Sequence, residues 1–164
     1  MIFESKTFYI DFVEKKDLKN IVDVYNTNKN FLVNHMDANK ITYEWLLEEL
    51  GSMKKADFYS CKVIEKSSEK LIGVIDFKTG EETYLSLLMI HNDYKGKGFG
   101  KLIYQTLEKY ISSIGSKCIR IDVVTNYDDT VVDFWARNGF YKVKPIELNW
   151  TGKILPAMIM KKNI

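Results

Sequence analysis

The organisation of this chain turns on residues 89–107, "MIHNDYKGKGFGKLIYQTL". An apolar run enters the stretch, Gly96, Gly98 and Gly100 alternate with Lys97 and Phe99, and an amphipathic pattern leaves it. Glycine loses more backbone freedom on folding than any other residue and is a poor helix former. Its repeated use where a helix must begin points to a need for open backbone. A strand that stops at a Gly-rich loop and restarts as a helix leaves several N–H groups without partners. Without Cβ atoms in the way, those donors can approach an anion closely, and the helix dipole adds positive potential at the same point. Lys95, Lys97 and Lys101 add formal charge. The stretch therefore reads as a phosphate site. The plainer alternative, a sharp turn with solvated lysines, does not need three alternating glycines.

Two common phosphate motifs do not fit. A nucleotide-triphosphate loop requires G-x-x-x-x-G-K-[ST]. Gly96 to Gly100 is one residue too short for it, and Leu102 stands where Ser or Thr would hold magnesium. The dinucleotide fingerprint G-x-G-x-x-G also fails, because the three glycines give G-x-G-x-G, and no early βαβ unit precedes them.

Outward from the loop, residues 8–13 ("FYIDFV") read as a strand, and Leu18, Ile21, Val22 and Tyr25 recur at helical spacing. "ITYEWLLEELG" is a second helix with Gly51 as its stop. "DFYSCKVIEK" and "LIGVIDFK" are two strands joined by "SSEK", and "TYLSLLMIH" follows the turn "TGEE". Ile103, Leu107, Tyr110, Ile111 and Ile114 mark the helix after the glycines. "CIRIDVV" is another strand, and Val131, Phe134 and Trp135 mark a helix ending at Gly139. "YKVKPIEL" and "KILPAMIM" close the chain as strands around the turn "WTGK". The order β-α-α-β-β-β-α-β-α-β-β predicts a mixed central sheet of about seven strands with flanking helices, in the α/β (α+β) class.

Composition bounds the rest. The chain has 164 residues, 46% hydrophobic and 28% charged, which fits one globular domain over residues 1–164. A net charge of +2 with no basic tail or basic-aromatic stripe argues against a nucleic-acid module. Cys61 and Cys118 lie in different apolar segments without metal-ligand spacing, and read as reduced core thiols of a cytoplasmic protein. No signal pattern opens the chain and no apolar run has membrane-spanning length, so neither secretion nor a membrane partner is expected.

Lys95, Gly98 and Gly100 resemble the acyl-CoA loop of the GNAT N-acetyltransferase superfamily, whose signature is Gln or Arg, two residues, Gly, one residue, then Gly or Ala. Lysine replaces Gln or Arg here. "DFWARNGFYKV" is similar to the family's second signature, an aromatic followed four residues later by Gly-Phe, matched by Trp135, Gly139 and Phe140. The resemblance covers nearly the whole chain. It implies a GNAT fold and acetyl-CoA as acyl donor, with no metal, acting on a primary amine by direct attack in a ternary complex. The pyrophosphate would lie on the backbone of Lys95, Gly96, Lys97, Gly98, Phe99, Gly100 and Lys101. Met89 and Ile90 would pair with the pantetheine amides, and the Ile90 N–H would point at the thioester carbonyl. "CIRIDVV" would splay from "TYLSLLMIH" to admit the cofactor arm.

The chemistry needs a neutral amine and a protonated leaving group. A primary amine titrates near ~10.4, so about one in a thousand or fewer is ready at pH 7. A carboxylate could bind the ammonium and take its proton. Asp122 and Asp76 sit inside apolar strands and are the candidates, with Glu81 and Glu82 behind them; His91 reads as a loop residue with a structural role. Many family members have Tyr at the Trp135 position to protonate the thiolate, and indole has no usable acid proton. Tyr127 could substitute. Asp128 stands where the family often has an Asn contacting pantetheine, and Asn126 is the nearby alternative. The missing Tyr keeps a second class open, a non-catalytic acyl-CoA-binding or sensor domain of the same fold, monomeric or homodimeric like the enzyme. Acceptor specificity is expected from the first two helices, the loop "NTNKNFLVNHMDANK" and the last hairpin, where Phe31, Tyr43, Trp45 and Trp150 line a pocket or join the core.

Overall fold

The structure is a computed structural model describing residues 1–150 and 152–164. An eight-stranded sheet runs in the order β1 (Phe3–Glu4), β2 (Phe8–Phe12), β3 (Tyr59–Glu65), β4 (Lys70–Lys78), β5 (Glu82–Ile90), β6 (Cys118–Val124), β8 (Lys153–Asn163), β7 (Tyr141–Trp150). Every pairing is antiparallel except β5 with β6. The helices α1 (Leu18–Thr27), α2 (Lys29–Met36) and α3 (Tyr43–Lys55) join β2 to β3; α4 (Phe99–Ser113) joins β5 to β6, and α5 (Asp129–Arg137) joins β6 to β7.

Strand alternation sends side chains to both faces, so the sheet carries two cores. On one face Leu18, Ile21, Val24, Leu32 and Leu46 pack on Val74, Leu87 and Met89. On the other, Ile103, Tyr104, Leu107, Ile111 and Trp135 pack on Phe8, Ile10, Val63, Ile75, Ile121 and Met160. Cys61 is fully buried in this second core, whereas Cys118 is only half-buried at the start of β6 with Sγ near Glu82; both are free thiols.

Two elements escape the sequence pattern, and α3 continues through Gly51, its expected stop, to Lys55. The two-residue strand β1 is too short to carry a period, and it raises the expected seven strands to eight. The segment read as a loop holds α2, which buries only Leu32 and is otherwise rich in Asn, a weak helix former. The turn expected over residues 150–153 includes Thr151, which lies outside the described residues. Among the described residues no helix is long and apolar enough to cross a membrane.

Candidate active site

The parallel pairing of β5 and β6 lasts only from Glu82↔Cys118 to Tyr84↔Arg120. Beyond it the strands part. Directly after this point β5 carries a bulge: Phe77 faces Leu85 and Asp76 faces Leu87, leaving Ser86 unmatched. An extra residue on one strand bends it and increases its twist, which swings the end of β5 away from β6. The opened wedge is a cavity of about 680 Å³ that reaches from Tyr84 and Asp122 at its apex to Gly96, Gly98 and Lys101 at its mouth.

Main-chain polarity inside the wedge follows from the ladder. His91 N–H donates to Ile72 O while Ile90 faces Gly73, so Ile90 occupies a non-hydrogen-bonded position relative to β4. Its N–H and C=O therefore point into the wedge, as do those of Leu88 two residues earlier. The Ile90 carbonyl is met by Asn28 Nδ2 at 3.0 Å. Met89 lines the cavity too, but its main chain belongs to the β4 ladder opposite Val74.

At the mouth, Gly96 (φ +73°) and Gly98 (φ +80°) adopt the left-handed conformation that glycine takes without strain, and a Cβ at either would meet nothing within 4 Å. Gly98 caps α4, and the first helical bond is Leu102 N–H to Gly98 O. Among the described residues the N–H groups of residues 96–101 find no protein acceptor. Gly100 serves differently: a Cβ there would lie 3.4 Å from Ile90 Cδ1 and 3.6 Å from Phe134. Lys95, Phe99 and Lys101 line the cavity; Lys97 does not, and its Nζ sits 5.6 Å from the Tyr94 ring. Burial lowers the Lys95 pKa, with Asp128 opposing the shift. Asp128 lines the cavity and caps α5 by accepting from Thr130 N–H at 2.9 Å, whereas Asn126 is exposed and lies outside the lining.

The two candidate carboxylates occupy different surroundings. Asp122 lies at the apex, its side chain 4% exposed, accepting from Arg120 Nε at 2.9 Å, Arg120 Nη2 at 3.1 Å and Tyr84 Oη at 3.1 Å. Burial and this carboxylate push the Tyr84 phenol well above its ordinary pKa. Asp76 is not among the lining residues; it is buried on β4, and burial pushes its carboxyl up to about 7. Glu82 pairs with Lys161 at 2.5 Å and Glu81 with Lys117 at 3.5 Å, both outside the cavity. His91 accepts from Asp93 N–H at 3.2 Å as a loop cap.

Trp135 is a core residue, 8% exposed, edge-on to Tyr104 and Phe140, although part of it borders the wedge. Tyr127 lines the cavity and its Oη lies 2.8 Å from His35 Nδ1. His35 comes from α2, and sequence reasoning missed it together with Asn28 and Tyr84. Only recognition of α2, with Phe31 and His35 at i and i+4 on one face, could have placed His35 here. Phe31 and Trp150 line the same end of the cavity, while Tyr43 and Trp45 pack against the first core.

The acetyltransferase (GNAT) domain model matches residues 40–162. No match was found among curated proteins. Among solved structures, an acetyltransferase from Thermus thermophilus is 21% identical with a TM-score of 0.76, over 96% of this chain and 97% of that one. The PaiA N-acetyltransferase of Thermoplasma acidophilum, solved with coenzyme A, is 20% identical with a TM-score of 0.68, over 96% and 99%. Spermidine N-acetyltransferase from Vibrio cholerae, solved with CoA and spermine, is 16% identical with a TM-score of 0.74, over 97% and 96%. With the family model spanning most of the sequence, the chain belongs to the GNAT acetyltransferase family.

Proposed function

We propose that this protein is an N-acetyltransferase that moves the acetyl group of acetyl-CoA to a primary amine by direct attack within a ternary complex. The observation that carries the reading is the continuity of the wedge: one cavity joins unpartnered amides at the start of α4 to the gap-facing main chain of β5. The amides of residues 96–101 hold the pyrophosphate, helped by Lys95 and Lys101. The pantetheine arm runs along the β5 edge. The thioester carbonyl meets an inward N–H of the pair Leu88 and Ile90, a donor worth ~3 kcal/mol when aimed at a developing oxyanion.

The amine attacks the thioester carbon, the carbonyl electron pair moves to oxygen, and collapse expels the thiolate. Of the two candidate bases, Asp122 faces the cavity and Asp76 does not, so Asp122 is the proposed anchor of the acceptor ammonium. Arg120 and Tyr84 already occupy both its oxygens, so water takes a share of that step. Tyr127 is the proposed acid, since the Trp135 indole N–H is far too weak an acid to protonate a thiolate. The protein acts as one domain over residues 1–164, in the cytoplasm, as a monomer or homodimer, without metal or nucleic acid.

Trp135 favours one other reading, an acyl-CoA-binding sensor that does not turn over. Calorimetry with acetyl-CoA and thiol release across an amine panel separate the two. Binding with amine-dependent thiol release supports the transferase; binding without release supports the sensor; no binding refutes both.

A further inference from the structure

Three phenols line the cavity in different surroundings. Tyr84 donates to the Asp122 carboxylate at 3.1 Å. Tyr94 sits at the glycine loop, edge-on to Phe99 and beneath the Lys97 ammonium. Tyr127 is the third, and its only side-chain partner among the described residues is His35 Nδ1 at 2.8 Å. The imidazole is itself fixed. Phe31 stacks on it with centroids 4.3 Å apart and 27° between planes, and Trp150 meets it edge-on at 6.0 Å. An α2 side chain is thus clamped against a cavity phenol whose hydrogen is not committed to a carboxylate.

The geometry points to His35 as a positioning residue that holds Tyr127 as the acid of the transfer step. This rests on the transferase reading. A neutral imidazole has one N–H and one bare nitrogen. Burial and the nearby Lys153 charge lower the His35 pKa to about 4, so the ring stays neutral at physiological pH. Lys153 is held by Asp37 at 2.5 Å and by the Asn34 carbonyl, and Asp128 lies on the Tyr127 side. With hydrogen on Nδ1, His35 donates to the phenol oxygen and leaves the phenol O–H free to turn into the cavity. As the C–S bond breaks, its electron pair goes to sulfur and the Tyr127 proton follows. The phenolate, stabilised by the Nδ1–H, regains a proton from the newly acylated nitrogen directly or through water. The step consumes no other reactant.

The test is a double-mutant cycle on the full chain, read as kcat, amine KM and acetyl-CoA affinity. Tyr127→Phe should lower kcat by about 10²–10⁴. His35→Phe keeps the ring stack and removes the nitrogen, and should lower kcat at least about tenfold while KM and cofactor affinity stay within about twofold. His35→Asn should recover part of the loss by restoring a donor near the Nδ1 position. The double variant should be no slower than Tyr127→Phe alone, because groups that act as a unit are not additive. Parental kcat in His35→Phe, a multiplicative double variant, or a loss confined to KM would overturn the inference while leaving the transferase intact. A parent protein that binds acetyl-CoA but acylates no amine would overturn both.

Discussion

Replacing Gly98 by alanine separates the strain of a left-handed residue from the loss of a phosphate cradle. Gly98 has φ +80°, and a Cβ built on it meets nothing within 4 Å, so the substitution clashes with no part of the folded protein. The stability cost is local: an L-residue in this region is less stable by roughly 1–2 kcal/mol, offset in part by reduced freedom of the unfolded chain. For a chain of this length that lowers Tm by about 2–8 °C. The added methyl nevertheless projects into the open space beside the unpartnered amides of α4. Displacing one charge-assisted N–H···phosphate bond costs about 1.5–3 kcal/mol, or about ten- to a hundredfold in Kd. Gly115 provides the control. It has φ +95°, equally empty surroundings, and lies just past the opposite end of α4. Gly115→Ala should cost similar stability and leave acetyl-CoA affinity untouched. Thermal melts and calorimetry on both variants decide the matter. Parental affinity in Gly98→Ala, or equal weakening in Gly115→Ala, would refute the assignment of the phosphate to this loop.

Asp122→Asn should keep acetyl-CoA affinity and lower turnover at least about tenfold, as expected for a weakened ammonium anchor and proton acceptor; parental turnover passes that role to water. Asp76 has its pKa raised by burial from 3.8 to about 7, so between those values the folded state binds a proton that the unfolded state has lost. Its stabilising contribution is therefore full below about pH 4 and fades as pH rises through about 7. Asp76→Asn should flatten that decline in denaturant melts across the window, and an unchanged slope would exclude Asp76 as its source. His35 acts in the opposite sense, since its lowered pKa makes the protein lose stability as pH falls from about 6.5 towards 4; His35→Asn should remove that acid limb. Trp135→Tyr, which opens space against Tyr104 and Phe140, should cost about 1–3 kcal/mol in melts and leave turnover within about tenfold; a hundredfold rise would instead identify a missing acid at that position.

The parts of the molecule that the sequence revealed are those where one local rule dominates. The alternation of β5 follows from pleat geometry, and the end of α5 before Gly139 from cap geometry. The glycine loop was legible because positive φ at Gly96 and Gly98 restricts the choice of residue. Gly100 satisfies the same motif for another reason, close packing against Ile90 and Phe134, which spacing alone does not distinguish. Asp122 and Asp76 look alike in sequence, each a lone acid in an apolar strand. Their difference is tertiary: one is met by Arg120 and Tyr84 at the wedge, the other is buried away from the cavity lining. The His35–Tyr127 contact joins residues 92 positions apart, and it depends on α2, a helix whose Asn-rich sequence gives little periodic signal.

The wedge also has to stay open in the absence of a ligand, and its closed end explains how it does so. Below the apex, Thr83 and Ser116 hydroxyls bond at 2.9 Å in a buried position, and Lys117 N–H donates to Glu81 O at 2.9 Å. At the last paired position, Tyr84 and Arg120 face each other and both reach Asp122. Buried polar groups left unsatisfied cost about 1–3 kcal/mol each, so this satisfied cluster holds the paired ends of β5 and β6 together. The bulge at Ser86 then turns β5 away before pairing can resume. β6 is held in place meanwhile by its other edge, which is paired with β8 along its full length, from Cys118↔Asn163 to Val124↔Ala157. The polar edge left on β5 is the main chain of Leu88 and the N–H of Ile90, the Ile90 carbonyl being met by Asn28; its N–H groups are those the acyl donor would use. Asp122 therefore serves the architecture whether or not it ever accepts a proton: it binds the two residues that mark where the sheet divides.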